Sequence, residues 1–183
     1  IARPDKFESR SVLNKGAAGV IIPMVETPEQ LDDIINSSLW PDNGNRGVGY
    51  CNANDFGKNF EDYKEEAQRP IFVAMVENTQ IIENLEKICS NKYLDALFIG
   101  PYDLSASLGI TGDFNNELFI DTQNKIFDIC SKYKKPFGYH VINPDKKDLQ
   151  NKIAKGATFL AIAADTIFLQ EFAESNKYFE IND

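Results

Sequence analysis

The sequence predicts an α/β chain built on a parallel sheet that curls toward a (β/α) barrel. Three observations carry this. Short, mostly apolar runs recur along the 183 residues without two-residue alternation, as in strands covered on both faces. Segments with helical spacing of apolar residues separate them, the alternation of βαβ units. Polar residues gather where the runs end: Glu77 ends one, Asp103 lies just past the next, His140 sits near the end of another and Asp165 closes the last. Functional groups at the carboxyl ends of successive strands are what a barrel enzyme uses. The competing architecture is an open doubly wound sheet. Its nucleotide-binding versions lose support, because no Gly-x-Gly-x-x-Gly follows any run and no P-loop occurs.

The elements follow in chain order. "AAGVIIPMV" (17–25) reads as a strand, and Thr27-Pro28-Glu29-Gln30 starts a helix with Thr at the cap, Pro at the first position and Gln three residues on, followed by Leu31, Ile34 and Ile35. "PDNGNRG" (41–47) is turn-forming by its Pro, Asn and Gly content. Phe56, Phe60 and Tyr63 are spaced for one helix face and read as packing residues. "PIFVAMVE" (70–77) is the next strand, and Ile81, Ile82, Leu85, Ile88 and Cys89 form one apolar helix face. "LDALFIG" (94–100) leads to Asp103 and a small-residue helix, then Ile126, Phe127, Ile129, Cys130 and Tyr133 mark another. "PFGYHV" (136–141) is followed by a helix through Leu149, Ile153 and Ala154, stopped by Lys155-Gly156. "ATFLAIAAD" (157–165) is the last strand, with Asp165 as a helix cap.

Composition narrows the function. The formal net charge of −9 disfavours nucleic acid and anionic membrane surfaces as partners. No stretch reads as a transmembrane run or signal peptide, so a soluble cytoplasmic protein of one domain is expected. Cys51, Cys89 and Cys130 lack metal-ligand spacing and read as buried free thiols.

Each acid has two readings. Asp103 alone suits a helix N-cap and Glu77 a charge at a helix start. Adjacent parallel strands lie about 4.8 Å apart, so together, at neighbouring strand ends, the two could reach one cation. Two carboxylates completed by substrate oxygens and waters make a hard-oxygen site, suited to Mg²⁺ or Mn²⁺.

"GAAGVIIPMVETPEQ", "RGVGYCNANDFG", "FVAMVENTQIIENLEKI" and "LDALFIGPYDLSASLG", in that order along nearly the whole chain, together resemble the HpcH/HpaI aldolases, metal-dependent class II enzymes that cleave or form 4-hydroxy-2-oxo acids through pyruvate enolate. The resemblance implies a (β/α)8 TIM barrel, a divalent metal, and pyruvate plus an aldehyde as reaction partners. It also implies an N-terminally incomplete barrel over 1–183: family members begin with two further βα units, the second ending in a Glu-His pair that carries the catalytic histidine. "IAR" at the start here resembles their third strand, leaving about six of the eight strands.

Residue by residue, Glu77 and Asp103 match the metal-holding positions, and Arg3 resembles the arginine that contacts the pyruvate keto oxygen. A fully exposed terminal arginine is the other reading of Arg3. Gly100, Pro101 and Tyr102 match the turn against the pyruvate carboxylate, and Arg46 and Gly47 match a loop bordering the site. Two departures are Met75, where many relatives have Gln, and Asn14, where some have Asp. His140, the one histidine, reads either as a packing residue or as a group that lines the substrate pocket and orients the aldehyde, with any role as base secondary to the upstream histidine. The resemblance further implies a homo-oligomer, a hexamer or trimer of dimers that swaps its last helix; Ile167, Phe168, Leu169, Phe172, Tyr178 and Phe179 give that end more apolar surface than a free tail exposes. Two alternatives stay open: a non-catalytic relative that binds pyruvate or a sugar acid, and a thioester lyase like the citrate-lyase β subunit. The second wants a basic surface, and only Lys134-Lys135 and Lys146-Lys147 offer one.

Overall fold

The computed structural model describes residues 1–5, 8–142 and 145–175. Each of the five apolar runs forms a strand: β1 Gly19–Ile22, β2 Ile71–Val76, β3 Ala96–Ile99, β4 Phe137–Val141 and β5 Phe159–Ile162. All neighbours are parallel and the order is β1-β2-β3-β4-β5. An order without reversal is that of a sheet curling into part of a barrel; a doubly wound sheet reverses at a switch point. "IAR" contributes one parallel bridge, Ala2 to Val20, and no strand. Pro4 explains the stop, since it has no N–H to continue the ladder.

The helices are α1 Ser9–Asn14, α2 Pro28–Ser38, α3 Phe60–Glu66, α4 Thr79–Cys89, α5 Pro101–Ser107, α6 Glu117–Lys132, α7 Lys146–Ala154 and α8 Asp165–Ser175. The expected Thr27 cap forms, its Oγ1 accepting from the Gln30 N–H at 3.2 Å, and Asn78, not among the expected caps, caps α4 by accepting from the Ile81 N–H at 2.8 Å. Asp165, expected as a cap, is instead the first residue of α8, its Oδ1 accepting the Thr166 N–H at 2.8 Å. α1 packs on α2, α2 on α4 and α4 on α6, forming one layer. Against it the sheet presents Val20, Ile22, Phe72, Ala74, Val76, Leu97, Ile99, Tyr139 and Val141 in one continuous apolar core. The alternate residues form a smaller inner cluster of Val73, Met75, Ala96 and Phe98, with Ile21 and Phe159 against it. Gly138 belongs to this inner register; a Cβ there would meet the Phe159 ring at 2.2 Å, so only glycine leaves room for Phe159 to stack on Phe98 at 5.7 Å.

Some expectations are corrected. Phe56 does not share a helix face with Phe60 and Tyr63: it lies in a 3-10 turn, Asn52–Gly57, with φ of 52°, exposed, while Phe60 and Tyr63 pack on Trp40. The face of α7 that carries Leu149 and Ile153 buries neither fully. α8 also has no buried residue, and Phe168, Leu169 and Phe172 are exposed; Tyr178 and Phe179 lie outside the described residues. Among the described residues, no helix is long and apolar enough to cross a membrane.

Candidate functional site

The carboxyl ends of β1, β2 and β3 converge on Glu77. Its neighbour Asn78 caps α4, so Glu77 is the last residue before the helix, and its side chain turns into the protein, 1% exposed. This sets aside the helix-start reading. Glu77 Oε1 accepts the Met24 N–H at 2.5 Å, whereas Oε2 is buried with no hydrogen-bond partner among the described residues. Met24 follows β1 with φ of 52°, a conformation costly for a side-chain-bearing residue, and that conformation accompanies an amide aimed at the carboxylate. Asn78 Nδ2 donates to the Val25 carbonyl at 3.0 Å and fixes the same segment from its other side.

Asp103 is not a cap either. The cap position of α5 is Gly100, with Pro101 opening the helix, so Asp103 falls within the first turn and is exposed. There its charge is favoured by the helix dipole, and among the described residues no hydrogen bond or ion pair engages its oxygens. Gly100 lies against Glu77: a Cβ would stand 3.3 Å from Oε2 and 3.2 Å from Met75 Cε. Arg3 Nε donates to Met75 Sδ at 3.2 Å, which answers the question of its placement. It is exposed, yet its guanidinium lies beside Glu77 over the departure Met75.

The electrostatics join these groups. Burial raises the Glu77 carboxyl above its ordinary value; the Met24 N–H opposes this, the charge of Asp103 pushes further upward, and Arg3 pulls back. The charges of Asp103 and Arg3 thus both act on Glu77, and Gly100 lies against it. Among the described residues no three of His, Cys, Asp and Glu are grouped to hold a metal ion.

Arg46 and Gly47 are elsewhere. Arg46 is 1% exposed, donates from Nη2 to the Tyr63 hydroxyl at 3.0 Å, and lies 5.7 Å from the ring centroids of Trp40 and Tyr63. A Cβ on Gly47 would meet Arg10 Nη2 at 2.9 Å. Among the described residues no hydrogen bond links either to Glu77 or Asp103. His140 belongs to the inner register: its ring stacks on Phe98 at 6.5 Å and Nε2 is 3.2 Å from the Ala163 carbonyl. Pro101, Tyr102 and His140 line a cavity together with Gln123, Tyr139 and Lys152, which neither Glu77 nor Asp103 lines. Lys135 Nζ is spent on the carbonyls of Asn91 and Leu94, so one of the basic pairs that a thioester cofactor would want is engaged.

Sequence reasoning missed Met24 and the second bond of Asn78. Both act through main-chain groups, which leave no trace in residue type.

Comparison with known proteins places this arrangement. The family model "HpcH/HpaI aldolase/citrate lyase" matches residues 4–171. The 5-keto-4-deoxy-D-glucarate aldolase of Escherichia coli O157:H7 is 30% identical over 157 residues, 85% of this chain and 60% of that protein. The hydroxypyruvate/pyruvate aldolase of Roseobacter denitrificans is 33% identical over 169 residues, 91% of this chain and 65% of that one. The chain thus spans under two thirds of the length of these relatives. A Burkholderia cenocepacia crystal structure of an HpcH/HpaI aldolase/citrate lyase family protein superposes with a TM-score of 0.86 at 24% identity, covering 94% of this chain and 69% of that one. With the family model running through every strand that bears on Glu77 and Asp103, the chain belongs to the HpcH/HpaI aldolase/citrate lyase family.

Proposed function

We propose that the chain is the greater part of a (β/α)8 barrel whose activity is that of a metal-dependent aldolase, cleaving or forming 4-hydroxy-2-oxo acids through a pyruvate enolate. The observation that carries this is Glu77 Oε2, a carboxylate oxygen buried without a partner beside the second carboxylate of Asp103. A buried unpaired carboxylate is costly, and a hard divalent cation offsets it. The residues therefore fit Mg²⁺ or Mn²⁺, held by Glu77 and Asp103. When bound, such an ion would supply positive charge to the pyruvate ketone oxygen, where charge would grow as the methyl proton passed to a base outside this pair of carboxylates. Arg3 supplies a second positive charge to that oxygen. Gly100, with no side chain, leaves space beside Glu77 for pyruvate, whose carboxylate rests against the Gly100-Pro101-Tyr102 turn. His140, on the inner register of β4, orients the aldehyde.

The barrel reading is supported by the consecutive strand order and by the apolar inner face around Ile71, Val73 and Phe98, which two further βα units would cover. Exposed Phe168, Leu169 and Phe172 support a homo-oligomer built through α8, of hexameric or trimer-of-dimers type, and light scattering at micromolar concentration tests it. A monomer contradicts it.

The central test is exchange of the pyruvate methyl protons into D₂O with Mn²⁺ or Mg²⁺, alongside calorimetry of metal binding in the presence of pyruvate. Glu77→Gln combined with Asp103→Asn is expected to lower exchange by at least about a hundredfold, on the scale of losing a preorganised electrostatic partner, with the fold retained. Binding and exchange at the unaltered level would overturn the assignment.

A further inference from the structure

The cavity beside the site has its own chemistry. It measures about 630 Å³ and opens between β4, α6, α7 and the turn that starts α5. One part of its wall is apolar, with the Tyr102 and Phe114 rings edge to face at 5.0 Å and Ile120 next to them. Another part is polar and desolvated. Lys152 lies with Nζ 4.0 Å from the Tyr139 ring centroid, and its side chain is only 14% exposed. The Tyr139 hydroxyl accepts from Gln123 Nε2, which leaves its own O–H to donate.

Charge points to the ligand. Asp148 Oδ1 lies 3.9 Å from Lys152 Nζ, at the outer limit of an ion pair, and engages at most one of three ammonium hydrogens. Lys155 also lines the cavity, although its Nζ lies 5.7 Å from the Phe127 ring centroid, so the Lys152 ammonium is the one within reach of Asp148. Burial lowers the Lys152 ammonium below its ordinary value, Asp148 draws it back and Lys155 lowers it again, the signature of a cation short of negative charge. An anion in the cavity supplies that charge, and charge-assisted hydrogen bonds in a desolvated setting are the strong ones.

We propose that this cavity is a binding site for a small organic carboxylate with a compact apolar or aromatic body, its carboxylate on Lys152 and its body against Tyr102 and Phe114. A phosphate ester suits the walls less well. One buried ammonium and one phenol cannot satisfy a dianion with three acceptor oxygens, and the apolar wall would face a polar group. Neither Glu77 nor Asp103 lines this cavity; it shares Pro101, Tyr102 and His140 with the proposed pyruvate and aldehyde contacts, and Gln123, Tyr139 and Lys152 are what set it apart.

The test is an NMR titration of the ¹⁵N-labelled full chain with sodium benzoate, paired with benzyl alcohol, a neutral molecule of the same shape. Benzoate is expected to shift the amides of Tyr102, Gln123 and Tyr139 and to bind at least about tenfold more tightly than benzyl alcohol. Lys152→Met keeps the apolar stem, removes the ammonium and is expected to lose at least about tenfold in benzoate affinity. Absence of shifts at these residues overturns the proposal, as does equal affinity for benzyl alcohol or for Lys152→Met. Should that variant fail to fold, the benzoate and benzyl alcohol contrast on the unaltered chain decides alone. Neither metal nor pyruvate enters the measurement, so its failure and that of the aldolase reading are separate results.

Discussion

Glu77 and Arg46 are both charged, both 1% exposed, and both retain buried polar atoms without hydrogen-bond partners, yet they sit in regions built for different ends. Around Arg46 the protein supplies a hydroxyl and two aromatic faces, so the cation rests on the π systems of Trp40 and Tyr63 and clamps the 40–47 turn to α3. Around Glu77 it supplies one amide, a second carboxylate and, in Gly100, no side chain. The first region surrounds its charge with aromatic faces and a hydroxyl; the second sets its charge between a like charge, Asp103, and an exposed cation, Arg3, with one carboxylate oxygen unpartnered among the described residues. A buried charge thus marks a reactive site only where its surroundings withhold the partner that would complete it.

Substitutions at Arg46 separate the regions most strongly. Arg46→Ala is expected to cost about 3 kcal/mol of folding stability by opening a cavity among Trp40 and Tyr63, while Arg46→Met, which fills the space without charge, costs less than about 1.5 kcal/mol. Denaturant unfolding measures both. If Arg46→Met folded well but lost pyruvate-dependent metal binding, Arg46 would belong to the site and the contrast would break. His140→Gln comes next: aldol cleavage is expected to slow by about tenfold in kcat/KM, roughly 1.4 kcal/mol, with little change in melting temperature. Under the proposed aldolase activity, unaltered rates of cleavage of a 4-hydroxy-2-oxo acid would return His140 to a packing role beside Phe98.

Gly100→Ala sharpens the Glu77 side of the comparison. Its Cβ would press on the Met75 and Glu77 side chains at 3.2 to 3.4 Å, so a few-fold weakening of metal affinity is expected with stability changed by about 1 kcal/mol or less. An unchanged dissociation constant in calorimetry would show that Glu77 has room to spare.

The smallest effect is on pH. In EDTA the native Glu77 carboxyl holds its proton more tightly than the unfolded one, so its protonation contributes stability that is fully present below the unfolded value near 4.5 and is lost as pH rises through the higher native value. Glu77→Gln should flatten that segment of the melting-temperature profile and raise the curve above it. A carboxylate with an internal partner, as an ion-paired one has, would give the opposite slope.

The runs that became β1 to β5 were legible because strands covered on both faces need unbroken apolar sequence, α2 announced itself through its Thr27 cap, and α4 through the single apolar face of Ile81, Ile82, Leu85, Ile88 and Cys89. Glu77 and Asp103 were legible by position, at the ends of adjacent runs. The role of Arg46 was hidden, since a charged residue within Pro, Asn and Gly reads as solvent-exposed until tertiary packing brings Trp40 and Tyr63 around it. Phe56 misled for a related reason: its spacing suited a helix, and the backbone of the Asn52–Gly57 turn placed it outside one. The inward turn of His140 depended on register, which a single apolar strand does not declare.

The bond from the Met24 amide to Glu77 has a consequence for how such a protein diversifies. The carboxylate is anchored by a main-chain group, while the Met24 side chain is 42% exposed beside it. Replacing that side chain leaves the anchoring atom in place, provided the newcomer tolerates a positive φ, as glycine or asparagine does more readily than a β-branched residue. Natural variation at position 24 can therefore reshape what approaches the carboxylates while the carboxylates themselves stay put, which separates the inheritance of the chemistry from the drift of its selectivity.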